Sequence, residues 1–191
     1  MRMLPSIWRN RLGFAFFSVA GVLSIVSDWQ DLHPLTMLAS LHNLMLACLY
    51  LNRRSETAYD RTGLWLGLLS AFLPIPFVPK NLSLAMLVTG LTGYLLIFWS
   101  LISLGESFGV APADRGLKTS GPYRFIRHPM YLGELVLRGS FLLSNDLFQG
   151  SLTLALLLAI QVLRMRREEK LISDYPRYAR LVHWRLIPFF Y

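Results

Sequence analysis

The 191-residue chain is 54% hydrophobic and only 16% charged, and its mean hydropathy is +0.44. A soluble domain of this length cannot bury so much apolar surface in one core, so the composition excludes an ordinary soluble protein and indicates a membrane protein. The net charge of +8 fits basic loops beside anionic lipid, and we expect no nucleic-acid partner.

Six apolar segments follow one another along the chain. A helix of roughly 20 apolar residues spans a bilayer, so most of these segments qualify, although the first is marginal. The segments are residues 12–27, 34–52, 62–79, 81–105, 129–144 and 147–163. We therefore predict an all-α, polytopic helical membrane protein with about six transmembrane helices.

Lysines and arginines are distributed unevenly between the predicted loops. Seventeen of the 19 lie before the first span, in every second loop or after the last span. Lys80 lies in an alternate loop, and Arg138 lies within a span. Three aspartates occupy the alternate loops instead, namely Asp28, Asp31 and Asp146. The positive-inside rule then predicts an integral membrane protein with both termini in the cytoplasm.

Residues 1–104, with the first four spans, form a predicted N-terminal membrane region that carries few polar groups. His42 and Asn43 lie near the middle of the second span, where helix packing is favoured over a substrate contact. Pro74 and Pro76 predict a kink or an early end in the third span. Cys48 is the single cysteine, so an internal disulfide is excluded, and we expect no metal site because the sequence has no Cys/His array.

Polar residues are concentrated in the second predicted region, residues 105–191. Residues 105–128 contain too many glycines and prolines for one helix, which predicts an irregular cytoplasmic connector. Pro129 suits the first turn of a helix, so the fifth span is predicted to begin there. A helix N-terminus beside Arg127 and His128 suits a small anionic group. The connector therefore predicts a ligand site at a membrane surface.

The chain after the connector is predicted to continue as a helical hairpin and a surface helix. A tight turn at residues 144–146 would place Pro129 and Arg164 at similar depth. Arg164 and Glu168 share one helix face, so a basic collar with a helical salt bridge is an alternative interpretation of this stretch. Residues 174–182 are predicted to form a short C-terminal amphipathic helix, with Asp174 near its N-terminus. Residues 184–188 are predicted to be an aromatic tail at the membrane interface.

Glu134 and Arg138 lie four residues apart within the fifth span, in the order that favours a helical ion pair. Charges inside a membrane cost a few kcal/mol or more unless they are paired. We therefore predict that both side chains face the protein interior or a wet cavity. A structural pair and a wall of a substrate-binding pocket are both open interpretations.

Three motifs of the second region together resemble one group of enzymes. They are Thr119-Ser120-Gly121-Pro122-Tyr123, Arg127-His128-Pro129-Met130-Tyr131-Leu132-Gly133, and Arg164-x-x-x-Glu168-Glu169. This combination resembles the isoprenylcysteine carboxyl methyltransferase and phospholipid methyltransferase superfamily, whose members are integral membrane enzymes that use S-adenosylmethionine. The resemblance covers about residues 105–188.

The resemblance implies an S-adenosylmethionine-dependent methyltransferase whose methyl acceptor is a lipophilic small molecule or a lipid. It implies a catalytic or acceptor-orienting role for Arg164, and Glu134 and Arg138 are further candidates for substrate binding. Cofactor contacts are implied at Arg115, Gly116, Leu117, Lys118, Tyr123, His128, Pro129, Met130, Tyr131 and Glu168. Residues 115–118 read Arg-Gly-Leu-Lys where the prenylcysteine enzymes usually begin with His, a departure that disfavours a prenylcysteine substrate.

Two other classes of protein are alternatives. Sterol reductases are also polytopic, and their ends resemble residues 184–188; a protein of that class would use NADPH. The Arg127-His128-Pro129-x-Tyr131 spelling favours the methyltransferase. A non-catalytic lipid-binding membrane protein is the second alternative.

Overall fold

The structure is a computed structural model that describes residues 6–27, 33–73, 83–143 and 147–190. Over these ranges the chain forms α-helices and one short antiparallel ribbon, which confirms the all-α prediction. The helices are α1 (Ser6–Ser27), α2 (Pro34–Leu51), α3 (Arg61–Phe72), α4 (Leu84–Leu104), α5 (Pro129–Gly139), α6 (Leu147–Leu171) and α7 (Tyr175–Leu181), and the strands are β1 (Ala58–Tyr59) and β2 (Ala113–Asp114). Single turns of 3-10 helix occupy Gly105–Ser107, Gly121–Arg124 and Ser140–Leu143.

Four of the described helices, α1, α2, α4 and α6, are long and apolar enough to cross a membrane. The chain is therefore a helical membrane protein. Helix α1 reaches 22 residues because it begins at Ser6, before the predicted start at residue 12. Helices α3 and α5 have 12 and 11 residues, about 18 and 16 Å at 1.5 Å per residue. Each is shorter than a bilayer core, so the count of six spans stays a prediction.

Several sequence predictions fall on residues outside the described ranges. They concern the proline kink, the hairpin turn and the charges of the alternate loops: Pro74, Pro76, residues 144–146, Asp28, Asp31, Lys80 and Asp146.

Local sequence explains where the helices begin. The Asp60 carboxylate accepts a hydrogen bond from the Thr62 amide at 2.9 Å, which caps α3. Pro129 occupies the first turn of α5, as predicted, because the amide missing from proline would have no helical partner there. Helix α7 follows Asp174, so the predicted surface helix is also confirmed.

Two glycines bring α4 and α5 into backbone contact. A Cβ atom at Gly93 would lie 2.7 Å from the Leu137 amide nitrogen, and one at Gly133 would lie 2.8 Å from Ile97 Cγ1. Ile97 and Leu137 belong to the main apolar core between these helices and α2. The close contact fixes α5, whose first turn carries the polar motif, against the middle of α4.

His42 contributes to helix packing, as predicted. Its ring lies edge-on to Tyr94 and Phe98 of α4, with centroid distances of 6.3 and 6.2 Å. Helices α2 and α4 are thereby joined within the apolar part of the protein.

The two-stranded ribbon joins the N-terminal region to the connector. Ala58 pairs with Asp114 and Tyr59 with Ala113. The backbone contact extends beyond the strands, because the Asp60 amide donates to the Pro112 carbonyl at 3.0 Å. The chain between α2 and α3 therefore shapes the connector.

Candidate active site

A pocket lies between the connector, the start of α5, the end of α6 and α7. It encloses about 760 Å³ of space that no protein atom occupies, including its open mouth. Nine of the ten residues predicted to contact a cofactor line it: Arg115, Gly116, Leu117, Lys118, Tyr123, His128, Met130, Tyr131 and Glu168. Pro129, the tenth, is fully buried at the start of α5.

The pocket lining combines positive charge, aromatic rings and one carboxylate. Its cations are Arg115, Lys118 and Arg127, its aromatic residues are Phe108, Tyr123, Tyr131, Tyr175 and Tyr178, and its carboxylate is Glu168. Guanidinium groups bind anions, and aromatic faces bind flat rings and cations. Such a lining suits a ligand that carries an anionic group, an aromatic ring and a cationic centre.

The bend of the connector depends on Gly116. This residue has a φ of 91°, in the left-handed region that a side chain disfavours. Its amide donates to Asp114 Oδ1 at 3.1 Å. The turn places Arg115 and Leu117 in the pocket wall.

His128 is buried between two tyrosine rings at the pocket wall. Its ring stacks on Tyr131 and Tyr175, with centroid distances of 5.6 and 6.2 Å. Nε2 lies 3.3 Å from a carboxylate oxygen of Glu169, and Nδ1 lies 3.8 Å from one of Glu168. The Tyr175 hydroxyl lies 3.0 Å from the same Nε2 atom and donates a hydrogen bond to Glu169 at 3.1 Å. The ring is therefore fixed in its plane and in its orientation.

Glu169 binds the C-terminal segment to the pocket wall. Its carboxylate accepts two hydrogen bonds from Arg185, at 3.0 and 2.9 Å, and lies 3.5 Å from the Arg127 guanidinium. The same two segments pair through their backbones, since the amides of Arg127 and His128 donate to the carbonyls of Trp184 and Arg185, each at 2.9 Å. Bidentate arginine–carboxylate pairs are among the stronger polar contacts.

Residues 184–188, predicted to be an interfacial tail, are partly packed into the protein. Leu186 is only 2% exposed and packs against Tyr131 and Met165. The backbone pairing and the Arg185–Glu169 contact draw this segment into the protein. Phe189 and Phe190, which follow it, are 88% and 85% exposed.

Glu168 faces the pocket and is hydrogen-bonded on one side. The Tyr131 hydroxyl donates to it, and its side chain is 22% exposed. A carboxylate offers about four acceptor positions. Glu168 therefore keeps capacity to accept from a ligand in the pocket.

Arg164 lies behind Tyr131 and is 3% exposed. Its guanidinium donates to the Ser70 hydroxyl and the Val110 carbonyl, each at 3.0 Å, and sits 4.8 Å from the centre of the Tyr131 ring. Its Nε has no hydrogen-bond partner within the described residues. Such burial contradicts a solvated basic collar at Arg164.

Glu134 and Arg138 lie on α5 and are not among the residues that line the pocket. Gln161 of α6, which is completely buried, donates to the Glu134 carboxylate at 2.5 Å. Glu134 therefore faces the protein interior as predicted, although its observed hydrogen-bond partner is Gln161 rather than Arg138. The Arg138 guanidinium lies 5.8 Å from the centre of the Phe141 ring.

The phenols of the connector and of α7 stay protonated at physiological pH. Burial raises the pKa of Tyr123 well above its usual value, and the charge of Glu168 adds to the effect. Burial and the neighbouring Glu169 carboxylate likewise raise the pKa of Tyr175. These hydroxyls are therefore neutral hydrogen-bond donors in the pocket wall.

The N-terminal region contributes polar contacts that sequence reasoning missed. Asp60 lies 2.9 Å from Arg167 of α6, and Ser70 of α3 holds Arg164. Burial disfavours the charged form of Asp60 and would raise its pKa. Hydrogen bonds from Arg167 and from backbone amides have the larger combined effect, so the pKa of Asp60 is lowered. Such contacts lie more than 90 residues apart in the chain, so the local pattern gave no signal for them.

Glu169 and Arg185 are two further residues of the site that were not among the predicted contacts. Glu169 belongs to the Arg-x-x-x-Glu-Glu motif, so the sequence could have indicated its place in the site. Arg185 was instead assigned to the interfacial tail. Within the described residues there is no cluster of three or more His, Cys, Asp or Glu side chains that could hold a metal ion.

The fold and the site define a helical membrane protein whose polar pocket lies beside the ends of its apolar helices. A family model described as phospholipid methyltransferase matches residues 80–175, half of the chain. The chain therefore belongs to the phospholipid methyltransferase family, within the larger group of integral membrane methyltransferases, and the resemblance stated from its motifs is confirmed. A search of curated proteins found no match.

Proposed function

We propose that this membrane methyltransferase uses S-adenosylmethionine and binds it in the pocket between the connector, α5, α6 and α7. The observation that carries the proposal is the convergence of nine predicted cofactor residues on one pocket. The matched segment, residues 80–175, contains all nine. The family description supports transfer of a methyl group to a lipid.

The chemistry of the lining fits the parts of this cofactor. Arg115, Lys118 and Arg127 would attract its carboxylate. Glu168 would accept hydrogen bonds from the ribose or the ammonium group, and the faces of Tyr123 and Tyr131 would contact the adenine or the sulfonium. Positive, negative and aromatic groups are all present in one lining, as the mixed character of the cofactor requires.

The bound cofactor supplies an activated methyl group on its sulfonium, so the protein has chiefly to bind and align two reactants. Good alignment can remove about 7–11 kcal/mol of a barrier. The stacked Tyr131, His128 and Tyr175 rings form a rigid wall for this purpose. We propose that Arg164, held against Tyr131, orients the acceptor.

The acceptor that we propose is lipophilic and reaches the site from the bilayer. Glu134 lies one helical turn from Tyr131 on α5, and Gln161 lies one turn from Arg164 on α6. The hydrogen bond between Glu134 and Gln161 therefore extends the polar contacts of the pocket wall toward the apolar part of the protein. Glu134 and Arg138 are proposed to line the acceptor path. The Arg-Gly-Leu-Lys spelling at residues 115–118 favours an acceptor other than prenylcysteine.

Binding of labelled S-adenosylmethionine and of labelled NADPH to the purified full chain tests the proposal. We expect saturable binding of S-adenosylmethionine that unlabelled S-adenosylhomocysteine displaces, because the two share every group except the methyl. Binding of NADPH instead would favour an oxidoreductase related to sterol reductases. Binding of neither would support a non-catalytic lipid-binding protein.

A further inference from the structure

Three distant segments of the chain meet at one buried carboxylate, Glu56, which lies between α2 and β1. Its side chain is 7% exposed. One oxygen lies 3.3 Å from Nη2 of Arg115 in the connector, and the other contacts the Arg9 guanidinium of α1. Glu56 and Arg9 lie outside the segment that the family model matches, whereas Arg115 lies within it.

Arg115 is the pocket cation that this contact orients. Its side chain is 2% exposed, and it lines the pocket. A long arginine side chain has many rotamers, so its guanidinium needs neighbours to fix it. Gly109 gives it room, because a Cβ there would lie 2.6 Å from Arg115 Nη1. On the opposite side, Glu56 supplies a charged acceptor.

The charges of this group favour an anionic ligand. One carboxylate lies between two guanidinium groups, so the three side chains together carry a net positive charge beside the pocket. Without Glu56, the Arg9 and Arg115 guanidinium groups would lose the anion between them, which is unfavourable because Arg115 is buried. Arg115 would then turn away from its place in the wall.

We propose that Glu56 is a positioning residue of the cofactor pocket: it holds the Arg115 guanidinium in the wall, so the N-terminal region sets the affinity of the pocket for an anionic group of its ligand. The inference rests on the proposed use of S-adenosylmethionine and adds a residue outside the family motifs. The ribbon between β1 and β2 keeps the Glu56 segment in register with the connector.

Glu56→Gln in the full chain tests this role, because glutamine keeps the shape of glutamate and loses its charge. Glu106→Gln is the matched control. Glu106 pairs with Arg54 at 3.0 Å and links the same two segments, but these side chains are 55% and 56% exposed. The dissociation constant for labelled S-adenosylmethionine is measured on each purified variant. We expect it to rise about ten- to hundredfold for Glu56→Gln and to stay within about twofold for Glu106→Gln.

A second variant separates positioning from a purely structural role. If Glu56 acts through Arg115, then Glu56→Gln adds no further loss of affinity in an Arg115→Met background. An additional loss in that background, or an unchanged dissociation constant for the single Glu56→Gln variant, would overturn the inference. If Glu56→Gln does not fold, Glu56→Asp keeps the charge and shortens the reach, and unchanged binding by that variant would overturn it equally.

The wild-type protein distinguishes this inference from the proposed function. Wild-type protein that fails to bind S-adenosylmethionine contradicts both. Wild-type protein that binds it, together with unaffected Glu56 variants, contradicts the inference alone.

Discussion

His128 and Glu168 lie side by side in the pocket wall, and each is fixed by a hydrogen bond from or to a neighbouring side chain. His128 is held by Glu169, and Glu168 is held by Tyr131. Fixed donors and acceptors lose less freedom when a ligand binds, so a pocket built in this way favours affinity. Both residues belong to the motifs that predicted a cofactor site.

Loss of either side chain should weaken cofactor binding. Removal of a charged contact to a ligand costs about 1.5–3 kcal/mol, which is roughly ten- to hundredfold in affinity. We therefore expect His128→Ala and Glu168→Ala each to raise the dissociation constant for S-adenosylmethionine by that amount, as measured by equilibrium binding. His183→Ala is the control, because that residue is exposed. Wild-type affinity in both pocket variants would contradict the assignment.

Arg164 should affect turnover more than binding. It is not among the residues that line the pocket, but it contacts the lining residue Tyr131, and we propose that it orients the acceptor. Arg164→Ala is expected to keep most of the affinity for S-adenosylmethionine and to lower the rate of methyl transfer per folded molecule. Arg166→Ala removes an exposed arginine of the same helix and serves as the control. A rate close to wild type for Arg164→Ala would remove the catalytic assignment.

Residues within the motifs could be predicted, whereas their distant partners could not. The sequence motifs are recognisable because both the backbone conformation and the pocket restrict which residues can occupy their positions, as at Gly121, Pro122 and His128. Glu56 and Ser70 are an ordinary glutamate and serine in the sequence, and only the folded chain brings them to Arg115 and Arg164. Long-range polar contacts of this kind leave no local pattern.

At the scale of elements, the contact between α4 and α5 positions the polar motif. Gly93 and Gly133 let the two backbones approach closely, and a Cβ at Gly93 would meet backbone atoms of Leu137 and Gly133 within 3 Å. Helices in membranes commonly associate through such small residues. Backbone atoms cannot move aside as a flexible side chain can.

Gly93→Ala is therefore expected to separate α4 from α5. Overpacking of this kind costs about 1–3 kcal/mol, and we expect a lower melting temperature in detergent together with weaker cofactor binding. Gly139→Ala is the matched control, since a Cβ at Gly139 meets no atom within 4 Å. Equal stability of the Gly93 and Gly139 variants would contradict the account of this interface.

The sequence predicted where the helices lie more accurately than it predicted how long they are. Pro129 marked the start of α5 correctly, because proline has a fixed φ and no amide. Helix α6 extends to Leu171, past the predicted span end at residue 163, so Arg164 and Glu168 lie on one helix as predicted. The segment after α7 was placed at the membrane interface, yet Leu186 is buried by contacts that only the tertiary fold provides.

At the scale of the whole molecule, the predicted regions 1–104 and 105–191 are joined by several contacts. The β1–β2 ribbon, the Asp60–Arg167 pair and the Arg164–Ser70 hydrogen bond all cross between them. The division remains a useful description of where the motifs lie. The contacts indicate that the second region depends on the first for the shape of its pocket.

The distribution of basic residues predicts the orientation of the chain in the membrane. Seventeen of the 19 lysines and arginines are expected on one side, which the positive-inside rule places in the cytoplasm. Reporters fused to each terminus should therefore both be active in the cytoplasm. A C-terminal reporter that is active only outside the cytoplasm would contradict the prediction and, together with a cytoplasmic N-terminus, would imply an odd number of spans.

Transfer of a labelled methyl group from S-adenosylmethionine to membrane lipid tests the central claim most directly. The purified full chain is incubated with labelled cofactor and vesicles made from total membrane lipid, and the label in the organic extract is measured. We expect label to enter the lipid fraction with wild-type protein and, at a cofactor concentration below its dissociation constant, to fall about ten- to hundredfold with Glu168→Ala. Saturable cofactor binding without any transfer to the lipid fraction would contradict the account.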